Sequence, residues 1–409
     1  MLVKKISITL ISLTSFVNFL GAADWHWSGV LAGDYRTISQ KPEEREIENN
    51  AQLSDFFLKM EGTLAEKVPF LAEFKINDDG GFRLIRAETV YQPYSFLELK
   101  IGQLLLPFGL WNENFEPDDY LTLTKPLLYA GPGLDYIARN NFPHPFFSAG
   151  FADVGVLGKF SPVVAQGKID CAIYLVNGFK EDGRLQPRPE AVKPPEVVGE
   201  DGWAGKEVID IDWTAEERFI WDNNDTKMAG GRILWQSTPD LSLGSSGLIG
   251  KYDLDDELDH WTAGADLSWR WNCYWKEGEK NNLRAEYVLG STDFRSTFPK
   301  SNLHQVRQRY STYGYYWQLD FPALNIHPID KTRMVLGYDI LYRVGPELDK
   351  DGFFIRNDGM DIKTKIEKYT TAINLDVNRV FSIKAEIAYW NFDVYNDIYE
   401  MGLGGVVKF

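Results

Sequence analysis

Cysteine is scarce in this chain: two in 409 residues, Cys171 and Cys273. That excludes a disulfide scaffold and a four-thiolate metal site. Histidine is nearly as scarce, at five, and no two lie at a ligand spacing. Basic charge is in the minority, with 43 Lys and Arg against 59 Asp and Glu. A formal net charge of -16 gives no basic footprint for a nucleic-acid partner. No run reaches the ~20 apolar residues of a membrane-spanning helix. What the chain has in abundance is aromatic residues, 14% of the total. Disorder is therefore excluded as well, and a large soluble β-fold or a membrane barrel remains.

The amino terminus sets the compartment. Lys4 and Lys5 precede an uncharged, mostly apolar stretch over 6–20, and Gly21, Ala22 and Ala23 follow with small side chains. This order is that of a secretory signal peptide over 1–23, cleaved near Ala23. The rest, 24–409, reads as one domain.

Period-two alternation runs through that domain. From Trp261 to Trp275 every odd position is apolar, and 283–289, 369–377 and 381–389 repeat the pattern. Such runs number sixteen: near 25–37, 53–64, 68–77, 82–91, 95–103, 151–160, 167–177, 227–236, 240–251, 259–275, 282–291, 310–321, 332–343, 365–377, 380–391 and 398–409. Many are longer than the ~5–6 residues of a sandwich strand and match a tilted crossing of a bilayer. Loop length then segregates by parity. The connections 38–52, 104–150, 178–226, 292–309 and 344–364 are long. Those at 65–67, 92–94, 161–166, 237–239, 276–281, 322–331 and 378–379 are short. Short periplasmic turns and long outer loops are the habit of bacterial barrels. The expectation is an all-β fold, a sixteen-stranded transmembrane antiparallel β-barrel.

In such a barrel the more apolar face meets lipid and the other lines a lumen. The lumen-wall candidates are Lys59, Glu61, Glu73, Lys75, Glu98, Lys100, Arg232, Arg270, Arg284, Glu286, Arg333, Asp339, Lys384 and Glu386. A wider tally of wall charges comes out nearly neutral. Both cysteines fall on lipid-facing positions. The third outer loop, about 104–150, offers Asn112, Glu113, Asn114, Glu116, Asp118, Asp119, Arg139, Asn140 and Asn141 as constriction candidates. Its apolar residues Leu127, Leu128, Phe146 and Phe147 suit packing on an inner wall; the alternative is a lid over the mouth. The fourth outer loop, about 178–226, is Pro-rich over 187–195.

The last strand, Tyr399-Glu-Met-Gly-Leu-Gly-Gly-Val-Val-Lys-Phe409, alternates to a terminal aromatic. It resembles the closing strand of Gram-negative outer-membrane barrels, and the resemblance implies that Phe409 is read by the barrel assembly machinery. The stretch Ile101-Gly-Gln-Leu-Leu-Leu-Pro-Phe-Gly-Leu-Trp-Asn-Glu113, with Ala152-Asp-Val-Gly-Val156, is similar to a region of the phosphate-selective porin O/P-type family. That resemblance implies a trimeric sixteen-stranded channel in the outer membrane. It carries no arginine ladder or lysine cluster across residue by residue.

Catalytic signals are weak. Neither His-Glu-x-x-His nor Gly-x-Ser-x-Gly occurs. The acidic stretch 253–259 lacks the Gly and terminal Glu of an EF-hand loop, so no metal and no cofactor is expected. The leading expectation is a porin that passes small hydrophilic solutes or ions, with a weak preference for cations. Its alternatives are an anion- or phosphate-selective porin, a barrel enzyme (an outer-membrane lipase or protease), and a secreted carbohydrate-binding sandwich.

Overall fold

A computed structural model describes residues 24–40, 47–64, 68–76, 82–129, 146, 150–164, 167–179, 226–253, 256–296, 306–323, 327–347, 361–393 and 397–409. Residues 1–23, the expected signal peptide, and most of the fourth outer loop lie outside them.

Sixteen strands cross the wall: β1 (Asp24–Gln40), β2 (Ile47–Leu64), β3 (Val68–Ile76), β4 (Phe82–Tyr94), β5 (Leu97–Leu105), β6 (Ala152–Phe160), β8 (Gly167–Val176), β9 (Met228–Thr238), β10 (Leu241–Lys251), β11 (Asp259–Asn272), β12 (Lys280–Ser296), β13 (Val306–Pro322), β14 (Lys331–Pro346), β15 (Asp361–Asp376), β16 (Phe381–Phe392) and β17 (Ile398–Lys408). The two-residue β7 (Val163–Val164) only extends the turn at the foot of β8. Every wall strand pairs antiparallel with its chain neighbours, and β1 also pairs with β17. The sheet is therefore closed, with no free edge to leave unpaired in lipid. Among the described residues there is no helix.

The alternation sorts the two faces. On β11, Trp261, Ala265 and Trp269 are exposed, while His260, Thr262, Gly264 and Asp266 are buried. A Lys or Arg turned to lipid at mid-membrane costs about 2–4 kcal/mol, which is why the mid-strand charges keep to the inner parity. On the outside, the rings of Tyr315, Tyr338, Tyr369, Tyr389 and Tyr399 form a lane across β13–β17, with centroid separations of 5.9, 5.0, 6.0 and 4.9 Å. Each tyrosine lies seven to nine residues from the periplasmic end of its strand. At ~3.3 Å per residue and a tilt near 40° that is about 20 Å, close to the height of an outer aromatic girdle. Trp269, Trp275 and Phe321 stand at the other end.

Several sequence-based boundaries shift. The outer parts of 38–52, 292–309 and 344–364 are strand, not loop: the ladders continue to Ser39↔Ile47, Ser296↔Val306 and Pro346↔Asp361. Above the membrane both faces meet water, so pairing continues without an apolar alternation to mark it. Residues 92–94 belong to β4, and the turn is Ser95-Phe96; an irregular register between Tyr91 and Tyr94 accommodates Pro93. Cys273 is not lipid-facing. It is buried in the turn after β11, where its N–H donates to the Glu279 carbonyl at 2.8 Å.

Candidate functional site

The connection between β5 and β6 turns inward. Its neck is closed by one buried side chain. The Asn112 amide donates to the carbonyls of Leu106 (2.6 Å) and Phe151 (2.9 Å), and its oxygen accepts the Phe151 N–H at 2.7 Å. The turn before it requires glycine. Gly109 has φ +61°, and a Cβ there would fall 1.8 Å from Glu286 Oε1 and 2.1 Å from the Tyr129 hydroxyl.

Beyond the neck, wall charges grip the loop backbone. Glu286 on β12 accepts the Leu110 N–H (3.3 Å) and the Tyr129 hydroxyl (2.5 Å). Asp339 on β14 accepts the Leu127 N–H at 3.1 Å. Glu386 on β16 accepts the N–H groups of Leu123 (2.5 Å) and Thr124 (3.2 Å) and the Thr124 hydroxyl. Cations take the carbonyls. Lys384 donates to Pro117 (2.5 Å), Tyr120 and Thr122 (3.3 Å), Lys368 donates to Lys125 (2.9 Å), and Arg232 donates to Gly109. Arg232 is held in turn by Asp266 at 2.9 Å.

Glu286, Asp339, Glu386, Lys384 and Arg232 are 2%, 5%, 5%, 2% and 6% exposed. These residues point inward, yet they lie beneath the loop and not on an open water surface. A buried charge stripped of its partners is costly, and a hydrogen bond to a charged group contributes about 1.5–3 kcal/mol. The same side chains therefore make detachment of the loop expensive. Apolar contacts reinforce them: Phe108, Trp111, Leu127, Leu128, Tyr129 and Phe146 pack in one cluster with Val288, Tyr316, Leu341 and Trp390 of the wall.

The other inward candidates pair among themselves. Glu73 holds Arg86 at 2.8 Å, and Lys100 holds Glu88 at 2.8 Å and Glu98 at 3.4 Å. Lys75 pairs with Asp55, and Arg333 with Asp320. Glu61 meets His26 at 3.1 Å. Arg270, exposed at the turn rim, meets Asp240 at 3.4 Å. Arg284 has no ion pair among the described residues.

Within the loop, Glu116 pairs with Lys59, and Asp118 meets Lys408 at 3.1 Å. Glu113, Asn114 and Asp119 are exposed. Asp119 is reached by solvent yet crowded by the barrel interior on its other sides, and that partial loss of water, together with the charges of Asp118 and Glu116, raises its carboxyl to about 6. Burial lowers the Lys125 ammonium to about 8. Arg139, Asn140, Asn141 and Phe147 lie outside the described residues.

Sequence reasoning missed Asp34, Arg36, Asp55 and Lys159, all on the lumen side. Arg36 grips Asp34 (3.0 Å) and Glu400 (3.3 Å) and reaches the Leu123 carbonyl. Inward parity from the exposed Val156 and Phe160 was the available signal for Lys159. In the acidic stretch, Asp253 accepts the N–H groups of Glu257 and Leu258 at 2.9 and 2.7 Å; residues 254 and 255 lie outside the described residues. Among the described residues no three His, Cys, Asp or Glu gather closely enough to hold a metal ion.

No protein-family model matches the sequence, and no curated protein matches it. Solved structures do. The outer-membrane channel DcaP of Acinetobacter baumannii is 11% identical, with a TM-score of 0.54 over 94% of this chain and 97% of that one. Salmonella typhi OmpF, solved with daunomycin, is 8% identical, with a TM-score of 0.52 over 94% and 97%. A loop-deletion mutant of Vibrio cholerae OmpT, an outer-membrane protein, is 11% identical, with a TM-score of 0.51 over 94% and 99%. At these identities the likeness is one of architecture: the chain has the fold of Gram-negative outer-membrane porins.

Proposed function

We propose that the chain is a passive diffusion channel of the outer membrane, exported by cleavage near Ala23, for small hydrophilic solutes or ions. The observation that carries this reading is the loop pinned inside a sixteen-stranded barrel by buried wall charges. A barrel of this width encloses water, and a loop fixed across it sets the narrowest point. The loop is gripped by β9–β17, is paired to β2 through Lys59, and packs through Phe115 on Phe57 of β2 and Ile85 of β4. Glu113, Asn114 and Asp119 are the exposed polar residues on it, and Lys100, Lys75 and Arg86 stand on the inner face of the wall, each held by a carboxylate. Glu116 and Asp118 are neutralised by Lys59 and Lys408. Exposed Glu113 and Asp119 remain, and they favour a weak preference for cations. Assembly follows the habit of the class, with Phe409 presented to the barrel assembly machinery and three copies in a trimer.

Single-channel recording in planar bilayers tests the reading. Purified, folded protein is expected to give discrete steps of conductance in KCl; folded protein that gives none overturns it. One observation favours a second reading, an anion- or phosphate-selective pore: Lys75, Arg83 and Lys125 line one recess with Gln103. A KCl gradient separates the two by the sign of the reversal potential, and added phosphate blocks only the second kind of pore.

A further inference from the structure

Between the loop and the strands β5, β6, β8 and β9 lies a recess of about 80 Å³. Five charged side chains line it: Lys100, Glu113, Lys159, Asp170 and Arg232. Three of them are already matched. Lys100 is held by Glu88 and Glu98, Asp170 by Lys168 at 2.9 Å, and Arg232 by Asp266 and the Gly109 carbonyl. Two are not. Among the described residues, neither Glu113 on the loop nor Lys159 on the wall has an opposite charge within ion-pair distance. The two banks thus carry one charge each outside any ion pair, the Glu113 carboxylate on the loop and the Lys159 ammonium on the wall, the latter across from Glu98 in the ladder and within electrostatic reach of Asp170.

We propose that this pair of banks is a binding site for a zwitterion of amino-acid size, so that the pore favours solutes bearing one ammonium and one carboxylate. The inference rests on the channel reading and adds the class of solute. A dipolar solute aligns its ammonium with Glu113 and its carboxylate with Lys159, gaining from both. A simple ion is attracted by one bank and repelled by the other, and a neutral solute gains from neither. The effect is large in such a passage because low-dielectric walls focus the field and little water remains to screen it. Glu113 and Lys159 are then the specificity-determining residues, and neither takes part in anchoring the loop.

Liposome swelling tests this with two isomers, glycine and glycolamide, which share mass and composition but differ in charge separation. Through the native chain glycine is expected to enter about two- to threefold faster. In Glu113→Gln and in Lys159→Gln the ratio is expected to fall to about one, with each variant still running as a compact, folded barrel when unboiled. The double exchange Glu113→Lys with Lys159→Glu, which restores opposite banks with the sign reversed, is expected to recover the preference. Equal entry of the isomers through the native chain overturns the proposal, as does a preference that survives both single variants. Those results leave the conductance, and so the porin reading, intact. Absence of KCl conductance from the folded native chain overturns the porin reading and this inference with it.

Discussion

The ring of Phe409 lies directly over Gly29. A Cβ at Gly29 would come within 2.6 Å of the Phe409 ring carbon Cζ, and the two residues exchange backbone hydrogen bonds of 2.9 and 3.1 Å. This is the last rung of the β1–β17 seam, where the barrel closes. Gly29→Val is therefore expected to push the terminal aromatic off the seam and lower the yield of folded barrel severalfold, because an unclosed edge leaves unpaired backbone groups facing lipid. Deleting Phe409, or Phe409→Asp, is expected to do the same. The measurement is the fraction of unboiled protein that migrates as a compact band on a denaturing gel; a normal fraction in all three variants would count against this closure.

Gly109→Ala is expected to damage the site without damaging the barrel. The substitution meets two penalties: a left-handed φ, worth about 1–2 kcal/mol for a non-glycine residue, and overlap with Glu286 and Tyr129. The loop must leave its position near β12. The barrel should still fold, with a conductance that differs from the native value and fluctuates more. Native conductance in this variant would separate the Gly109 turn from the narrowing of the pore.

The barrel was legible in the sequence because membrane crossing imposes two simple constraints, alternate faces and a minimum length. Every wall strand has a period-two counterpart for that reason. The constraint ends at the girdle. Arg307 and Arg309, exposed above it, bracket Asp293 on the neighbouring strand, so the ladder continues while the alternation does not. The anchoring of the loop was illegible for a different reason. Thr124 and Glu386 lie 262 residues apart, and no local pattern announces that a wall carboxylate will meet loop amides. Inward parity placed Glu386 on the right face, but a water-lining residue and a loop anchor have the same parity. Only the fold distinguishes them.

Glu386→Ala should expose that difference. The variant removes the acceptor for two N–H groups and a hydroxyl and takes from Lys384 the strongest of its neighbouring counter-charges, leaving Asp118 and Asp376. By the usual worth of hydrogen bonds to charged groups the loss is about 3 kcal/mol. It should appear as earlier proteolysis within 106–129 and as a larger, noisier conductance. Lys159→Ala, which touches no anchor, should leave proteolysis of the loop unchanged. Equal protection of the loop in native and Glu386→Ala protein would refute the anchoring role.

Asp119 gives the pore a pH dependence whose sign is fixed. Its carboxyl sits at about 6, above the ordinary range near 4. A carboxyl raised in the folded state favours the protonated fold. The contribution of Asp119 to stability is thus fully present below about 4 and is lost as pH rises through about 6. Function moves the other way. At pH 7 Asp119 is mostly ionised and adds a negative charge beside the water path; at pH 5 it is mostly neutral and Glu113 is left as the exposed loop acid. Cation preference in a KCl gradient is therefore expected to fall as pH drops from 7 to 5. The change should be larger at low salt, where the Debye length at ~0.01 M is about 30 Å. Asp119→Asn should behave at pH 7 as the native pore does at pH 5 and should lack the step near 6. Reversal potentials measured at pH 5, 6 and 7 for the two proteins decide the matter, and a native pore with the same selectivity at all three pH values would remove Asp119 from the selectivity of this channel.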